Sequence, residues 1–130
     1  MTSYEDLLLL AKDASKNSYS PYSNFSVGAA VLYESGNVYT GCNIENVSYG
    51  LSLCAERSAM AAAINSSEKT YIKAIAIYSP KQKKCMPCGA CRQWLQEFEK
   101  GQQIEIILED DNTFSSYKID ELLPYSFKLI

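Results

Sequence analysis

Cys54-Ala55-Glu56-Arg57-Ser58-Ala59-Met60-Ala61-Ala62-Ala63-Ile64-Asn65, then Lys73-Ala74-Ile75-Ala76-Ile77-Tyr78, then Pro87-Cys88-Gly89-Ala90-Cys91-Arg92 form the stretch that sets the architecture. The alanines of the first segment favour helix strongly, so a helix is expected from about Ser52 to Asn65. The second segment is short, isoleucine-rich and almost free of charge, as a buried strand should be. Pro87 suits the opening of another helix, where its missing N–H costs little. That helix continues through Trp94, Leu95 and Phe98 and stops at Gly101.

Outward from this centre, Thr2 to Asn17 reads as a helix capped by Ser3, with Leu7, Leu8, Ala11, Ala14 and Ser15 near one face. Ser18 to Asn24 is rich in Ser, Tyr and Pro and marks a loop. Phe25 to Tyr33 reads as a strand, Glu34 to Asn37 as a turn and Val38 to Cys42 as its hairpin partner. On the far side, Ile104 to Leu108 and Phe114 to Ile119 are strands flanking a turn at Asp110 to Asn112. A short helix from Asp120 to Leu123 ends at Pro124. Helices falling between strands define an α/β protein. The expectation is a three-layer α-β-α sandwich around a five-stranded sheet, mixed because hairpins close both ends. Residues 1–130 are expected to form a single domain.

Composition excludes several classes. A hydrophobic fraction of 47% argues for a packed core, and a net charge of −3 with a pI near 4.9 gives no attraction to nucleic acid. The Lys81 to Lys84 run reads as a solvated loop. No apolar stretch approaches the ~20 residues a membrane span needs, and Met1 to Asp6 lacks the basic segment of a signal peptide. Five cysteines in such a chain favour thiols or metal ligands, with the cytoplasm as the expected location. The sequence contains no histidine, which removes hydrolases built on Ser-His or Cys-His pairs.

What remains is metal chemistry. Cys54, Cys88 and Cys91 supply three thiolates for one Zn²⁺, leaving a fourth position open for water, and Glu56 lies two residues from the first ligand. A metal lowers the pKa of water, and a nearby carboxylate can move its protons. Cys88 and Cys91 are spaced for one side of a helical turn. Cys54 and Glu56 would diverge by about 200° within a regular helix, so both face one site only if Cys54 stands at the helix's very start. The order of elements brings both helix starts to one edge of the sheet, where their partial positive charges offset three thiolates. Arg57, adjoining the first ligand region, is the expected donor to sulfur, with Arg92 as a second candidate. Cys85-x-x-Cys88 is a competing register, disfavoured because Pro87 pushes the residue before it away from helix. Cys42 reads as a small buried hydrophobe.

Cys-Ala-Glu-Arg at 54–57 and Pro-Cys-Gly-Ala-Cys-Arg-Gln at 87–93 resemble the zinc-dependent cytidine deaminases, and the all-cysteine set resembles their short, homotetrameric branch. The likeness extends through Tyr22-Ser23-Asn24-Phe25-x-Val27-Gly28-Ala29-Ala30, Asn43-Ile44-Glu45-Asn46 and Leu122-Leu123-Pro124-x-Ser126-Phe127. It implies Zn²⁺ on Cys54, Cys88 and Cys91, Glu56 as proton shuttle, and hydrolysis of cytidine and deoxycytidine to uridine and deoxyuridine. It further implies that Asn43 and Glu45 bind the ribose 3′-hydroxyl, that Phe25 packs on the pyrimidine and that the Ala55 amide meets the base O2. Tyr49 and Phe127 would complete a neighbouring subunit's pocket. Met86 stands where the family pattern has a small serine. A structural-zinc module, with Cys42 or Cys85 as fourth ligand, is the alternative from another class.

Overall fold

The computed structural model describes residues 2–101 and 103–129; the Met1 and Ile130 ends of the expected terminal segments lie outside them. In chain order the elements are α1 (Tyr4–Ser15), β1 (Gly28–Tyr33), β2 (Val38–Cys42), α2 (Ala55–Asn65), β3 (Ile72–Tyr78), α3 (Gly89–Glu97), β4 (Glu105–Asp110), β5 (Thr113–Lys118) and α4 (Ile119–Leu122). A single 3₁₀ turn at Tyr49–Leu51 precedes α2. The five strands form one sheet in the order β2-β1-β3-β4-β5, antiparallel throughout except for the β3–β4 pair.

That topology builds the site. β2 and β3 are both antiparallel to β1, so they run in the same direction and their C-terminal ends reach the same sheet edge. The connection after β2 leads to α2, and the connection after β3 leads to α3. Both helices therefore start at that edge.

β1 is buried along its whole length, and α1 and α2 explain why. On one face, Leu7 and Ala11 of α1 pack with Ala30, Leu32, Ala74, Ala76 and Ile107. On the other, Ala59, Met60 and Ala63 of α2 and Leu95 of α3 pack with Val31, Ile75, Ile77, Ile106 and Leu108. A sheet covered on both faces needs no polar alternation, which is why β3 reads as a continuous apolar run. The three-layer expectation is met.

Close approach is made possible by glycine at two points. A Cβ on Gly28 would strike the Ala11 carbonyl and the Ser15 backbone, and one on Gly41 would strike the backbones of Ala55 and Ala59. Gly41 thus sets how near the first turns of α2 lie to β2. Gly41→Ala is expected to cost about 1–3 kcal/mol, the usual range for overpacking. An unchanged urea midpoint would contradict this.

Boundaries differ from expectation where side chains take over backbone partners. β1 begins at Gly28, not Phe25, because Asn43 holds the preceding loop: its Nδ2 donates to the Phe25 carbonyl at 2.7 Å and its Oδ1 accepts from Val27 N at 2.9 Å. α1 starts after Ser3, whose hydroxyl accepts from Asp6 N at 3.1 Å.

Glu68, 7% exposed, ties the β1–β2 turn to the α2–β3 connection. Its carboxylate accepts from the side chains of Ser35, Asn37, Tyr39 and Thr70 and from Thr70 N. These bonds, Thr70's foremost, draw its pKa from 4.5 down to about 2. A depressed folded pKa stabilises above the unfolded value and is lost as pH falls through the folded one. Glu68→Gln should therefore lower the melting temperature at neutral pH, with the gap closing between pH 4.5 and about 2. Parallel acid-melting curves for the two proteins would contradict this.

Candidate metal centre

Cys54 and Cys88 are the N-cap residues of α2 and α3. Both are extended, at φ −72°, ψ 155° and φ −68°, ψ 169°, and neither side chain caps its own helix. The thiols turn towards each other instead, with Sγ–Sγ at 3.7 Å. Cys91, buried in the first turn of α3, completes a group whose sulfurs all lie within 4.8 Å of one another. Pro87 therefore stands before the cap, one step outside the helix it was expected to open. The shift has a physical reason, because an extended Cys88 can aim its sulfur across to Cys54 while Cys91 reaches the same point from within the helix.

The donor set fits zinc. Zn–S bonds of ~2.3 Å in a tetrahedron put sulfurs about 3.8 Å apart, against 3.7 Å between Cys54 and Cys88. All five cysteines are free thiols. Among the described residues the cluster holds three sulfurs, with Cys42 and Cys85 outside it. Burial pushes the Cys85 thiol up to about 11 and also raises that of Cys42. Both lie outside the group of sulfurs within 4.8 Å of one another, which weighs against a closed four-cysteine structural site.

Cys54 is the opposite case. The Cys91 thiol hydrogen bond, then the Arg57 guanidinium, bring its pKa down to about 5. Arg57 Nη2 donates to Cys54 Sγ at 3.3 Å, while its buried Nε has no acceptor among the described residues. Cys91 is shifted upward by its bond to Cys54 and by burial. A bound divalent cation would deprotonate all three.

Glu56 is the second residue of α2 and 4% exposed. Burial, reinforced by the negative Cys54, lifts its carboxyl to about 7. Near neutrality such a group both takes and gives a proton, the property of a general acid–base residue. Because Cys54 sits outside the helical turn, the angular conflict between positions 54 and 56 disappears. Ala55 is fully buried at the first position of α2, where helix N–H groups lack intrahelical acceptors.

Arg92 does not donate to sulfur. Its Nε bonds the Pro87 carbonyl and its Nη1 the Leu122 carbonyl, each at 2.8 Å.

The remaining candidates fall into two groups. Glu45 and Tyr49 line a hollow of about 230 Å³ with Tyr22, Ser23 and Ser52. Glu45 Oε1 accepts from Tyr22 N at 3.0 Å and Ser23 N at 3.1 Å, and Oε2 accepts from the Ser23 hydroxyl. These bonds, the Ser23 hydroxyl's first, hold its pKa below the ordinary value. Asn43 Oδ1 also accepts from Ser18 Oγ. Phe25 is half-buried beside this loop. Phe127 lies apart, in a different hollow with Gln93 and Gln96, and is 72% exposed, as Tyr49 is at 74%. The bonds of Ser18 to Asn43 and of Ser23 to Glu45 are not readable from the sequence, where a Ser-Tyr-Pro loop carries no sign of which hydroxyl will hold which side chain.

Residues 1–105 match the family described as the cytidine and deoxycytidylate deaminase zinc-binding region. A cytidine deaminase from Sporosarcina psychrophila is 38% identical over 123 residues, covering 95% of this chain and 90% of that one. One from Mycobacterium tuberculosis is 43% identical over 119 residues, covering 92% and 85%. Among solved structures, the Burkholderia pseudomallei cytidine deaminase superposes with a TM-score of 0.87 at 38% identity, over 96% of this chain and 99% of that one. The Mycobacterium tuberculosis enzyme gives 0.84 at 39%, over 99% and 100%. A mixed sheet with a three-thiol cluster at two helix starts is the architecture of a zinc-dependent deaminase. The chain belongs to the cytidine and deoxycytidylate deaminase family.

Proposed function

We propose that this chain hydrolyses cytidine and deoxycytidine to uridine and deoxyuridine, serving pyrimidine salvage in the cytoplasm as a homotetramer, with residues 1–130 as one domain. The observation that carries the reading is a buried, near-neutral Glu56 carboxyl beside a three-thiol cluster formed by two converging helix starts. Cys54, Cys88 and Cys91 would hold the zinc, which when bound supplies the Lewis acidity that makes a water nucleophilic near pH ~7.

Glu56 takes a proton from the attacking water and passes one to N3 of the base. As the oxygen adds at C4, a second proton delivered through Glu56 lets the C4 amine leave as ammonia. One water is consumed for each ammonia released. Arg57 keeps negative charge on Cys54 from accumulating, through its bond to that sulfur. The first-turn amide of Ala55 is free to donate to the base O2, and Phe25 supplies an aromatic surface for the ring.

Hydrogen-bond capacity argues for a sugar hydroxyl at Asn43 and Glu45. A carboxylate offers about four acceptor sites, and Glu45 has three of them filled by Tyr22 and Ser23. Asn43 has its oxygen filled by Ser18 and Val27 and one amide hydrogen given to Phe25. One acceptor and one donor remain. A hydroxyl uses both, whereas a phosphate would meet the Glu45 charge, so a nucleoside suits the site better than a nucleotide.

Tyr49 and Phe127 are largely exposed and line different hollows, which supports their use by a neighbouring subunit. Among the described residues no helix is long and apolar enough to cross a membrane. Thiol ligands must stay reduced, which suits a cytoplasmic setting.

Loss of cytosine's near-ultraviolet absorbance, followed with cytidine, deoxycytidine and cytidine monophosphate, tests the reading. Turnover of both nucleosides and neglect of the monophosphate are expected; a preference for the monophosphate would refute it. Phe127→Ala should lower kcat/KM roughly 5- to 160-fold, the equivalent of the ~1–3 kcal/mol of one lost base–aromatic stack, while zinc content stays constant. Unchanged kinetics would remove Phe127 from the pocket.

A further inference from the structure

The Cys88 arm of the cluster and the C-terminal tail meet at one side chain. Arg92, directly after Cys91 on α3, bonds the Pro87 carbonyl through Nε and the Leu122 carbonyl through Nη1, both at 2.8 Å. The Pro87 carbonyl shares a planar peptide with the Cys88 N–H. Fixing that oxygen therefore fixes the plane from which the Cys88 side chain departs. Leu122 is the last residue of α4, and carbonyls at a helix end have no partner within the helix. One position further along α3, Gln93 Nε2 donates to the Phe127 carbonyl at 3.1 Å.

α3 thus presents one thiol directly, steadies another through Arg92, and grips the tail at both Leu122 and Phe127. Arginine suits this role because its rigid fork sends two donors to different acceptors, while a lysine ammonium acts as a single compact point. The ion pairs among the described residues are all made by lysines, so Arg92's contacts are to neutral carbonyls alone.

We propose that Arg92 is a positioning residue of the deaminase site, coupling zinc retention at Cys88 to docking of the tail that carries Phe127. The proposal rests on the reading of Cys88 as a zinc ligand. Loosening the Arg92 bonds frees the Pro87–Cys88 peptide and the end of α4 together. Zinc retention and tail order should then fall in step.

The test compares the zinc-loaded full chain with Arg92→Lys and Arg92→Gln. Zinc release to an excess of chromogenic chelator should be about tenfold faster in Arg92→Lys and faster still in Arg92→Gln, within the 10- to 100-fold range of residues that orient metal ligands. Backbone hydrogen exchange should quicken at 84–93 and 119–129 and stay unchanged in α1 (Tyr4–Ser15). At saturating zinc, KM for cytidine should rise more than kcat falls. Arg92→Lys keeps the charge and the aliphatic stem, so it provides a folded variant if Arg92→Gln does not fold. Zinc release within about twofold of wild type, faster release with an unaltered tail, or exchange raised equally in α1 would each overturn the coupling. Zinc release and exchange need no substrate. If wild type left cytidine intact while both moved as expected, the proposed function would fail and the coupling would stand.

Discussion

Glu56→Gln is expected to retain its zinc and lose at least about a hundredfold in kcat, the lower range for a general acid–base residue. Glutamine has nearly the same shape, so the packing around a side chain 4% exposed is preserved. What it lacks is a proton that can be taken and returned. The carboxyl is poised for that exchange because burial brings its pKa to about 7. The three sulfurs form their cluster without Glu56, so metal content should match wild type. Atomic absorption together with steady-state kinetics checks both halves. Near-normal turnover in a zinc-loaded variant would remove Glu56 from its role.

Replacing a ligand should have a larger effect. Cys54→Ala, Cys88→Ala and Cys91→Ala are each expected to lose zinc and to fall to background activity, since two thiolates make an incomplete site. Cys42→Ala and Cys85→Ala should keep both. The division follows from position, with three sulfurs within 4.8 Å of one another and the other two cysteines outside the group. Zinc loss in Cys85→Ala, with Cys91→Ala still loaded, would shift the ligand register to Cys85-x-x-Cys88.

Much of the architecture was legible because the sheet is covered on both faces. An apolar strand such as Ile72–Tyr78, between an alanine-rich helix and a proline-led one, leaves little choice but helices packed on a sheet. The hairpins announced themselves through their turn residues. The positions of Cys54 and Cys88 were harder to read. Alanine propensity extends a helix to Ser52, and only the need to aim Cys54 and Glu56 at one place argues for a start at Cys54. In the structure the segment before it is occupied by the 3₁₀ turn at Tyr49–Leu51 and by Leu53, which exchanges backbone hydrogen bonds with Ile44.

Side-chain bonding across long sequence separations was not legible. Glu68 looks like an ordinary surface carboxylate in Ser66-Ser67-Glu68-Lys69, yet it anchors residues from two other segments. Arg92 adjoins a candidate ligand and so suggests a sulfur donor, but its fork reaches backbone carbonyls on either side of α3. Nothing local distinguishes these outcomes, because the acceptor at Leu122 lies 30 residues away in the chain. Asn43 and Glu45 are intermediate cases. Their spacing carries the family resemblance, while their remaining capacity for one donor and one acceptor follows only from the bonds that Ser18, Tyr22, Ser23, Phe25 and Val27 already use.

Product analysis of the zinc-loaded chain with cytidine in heavy-oxygen-labelled water shows whether solvent oxygen replaces the amine at C4. Uridine carrying the label at O4 is expected, with one ammonia released per cytidine consumed. Intact cytidine, or uridine formed without the label, would contradict the proposed hydrolysis.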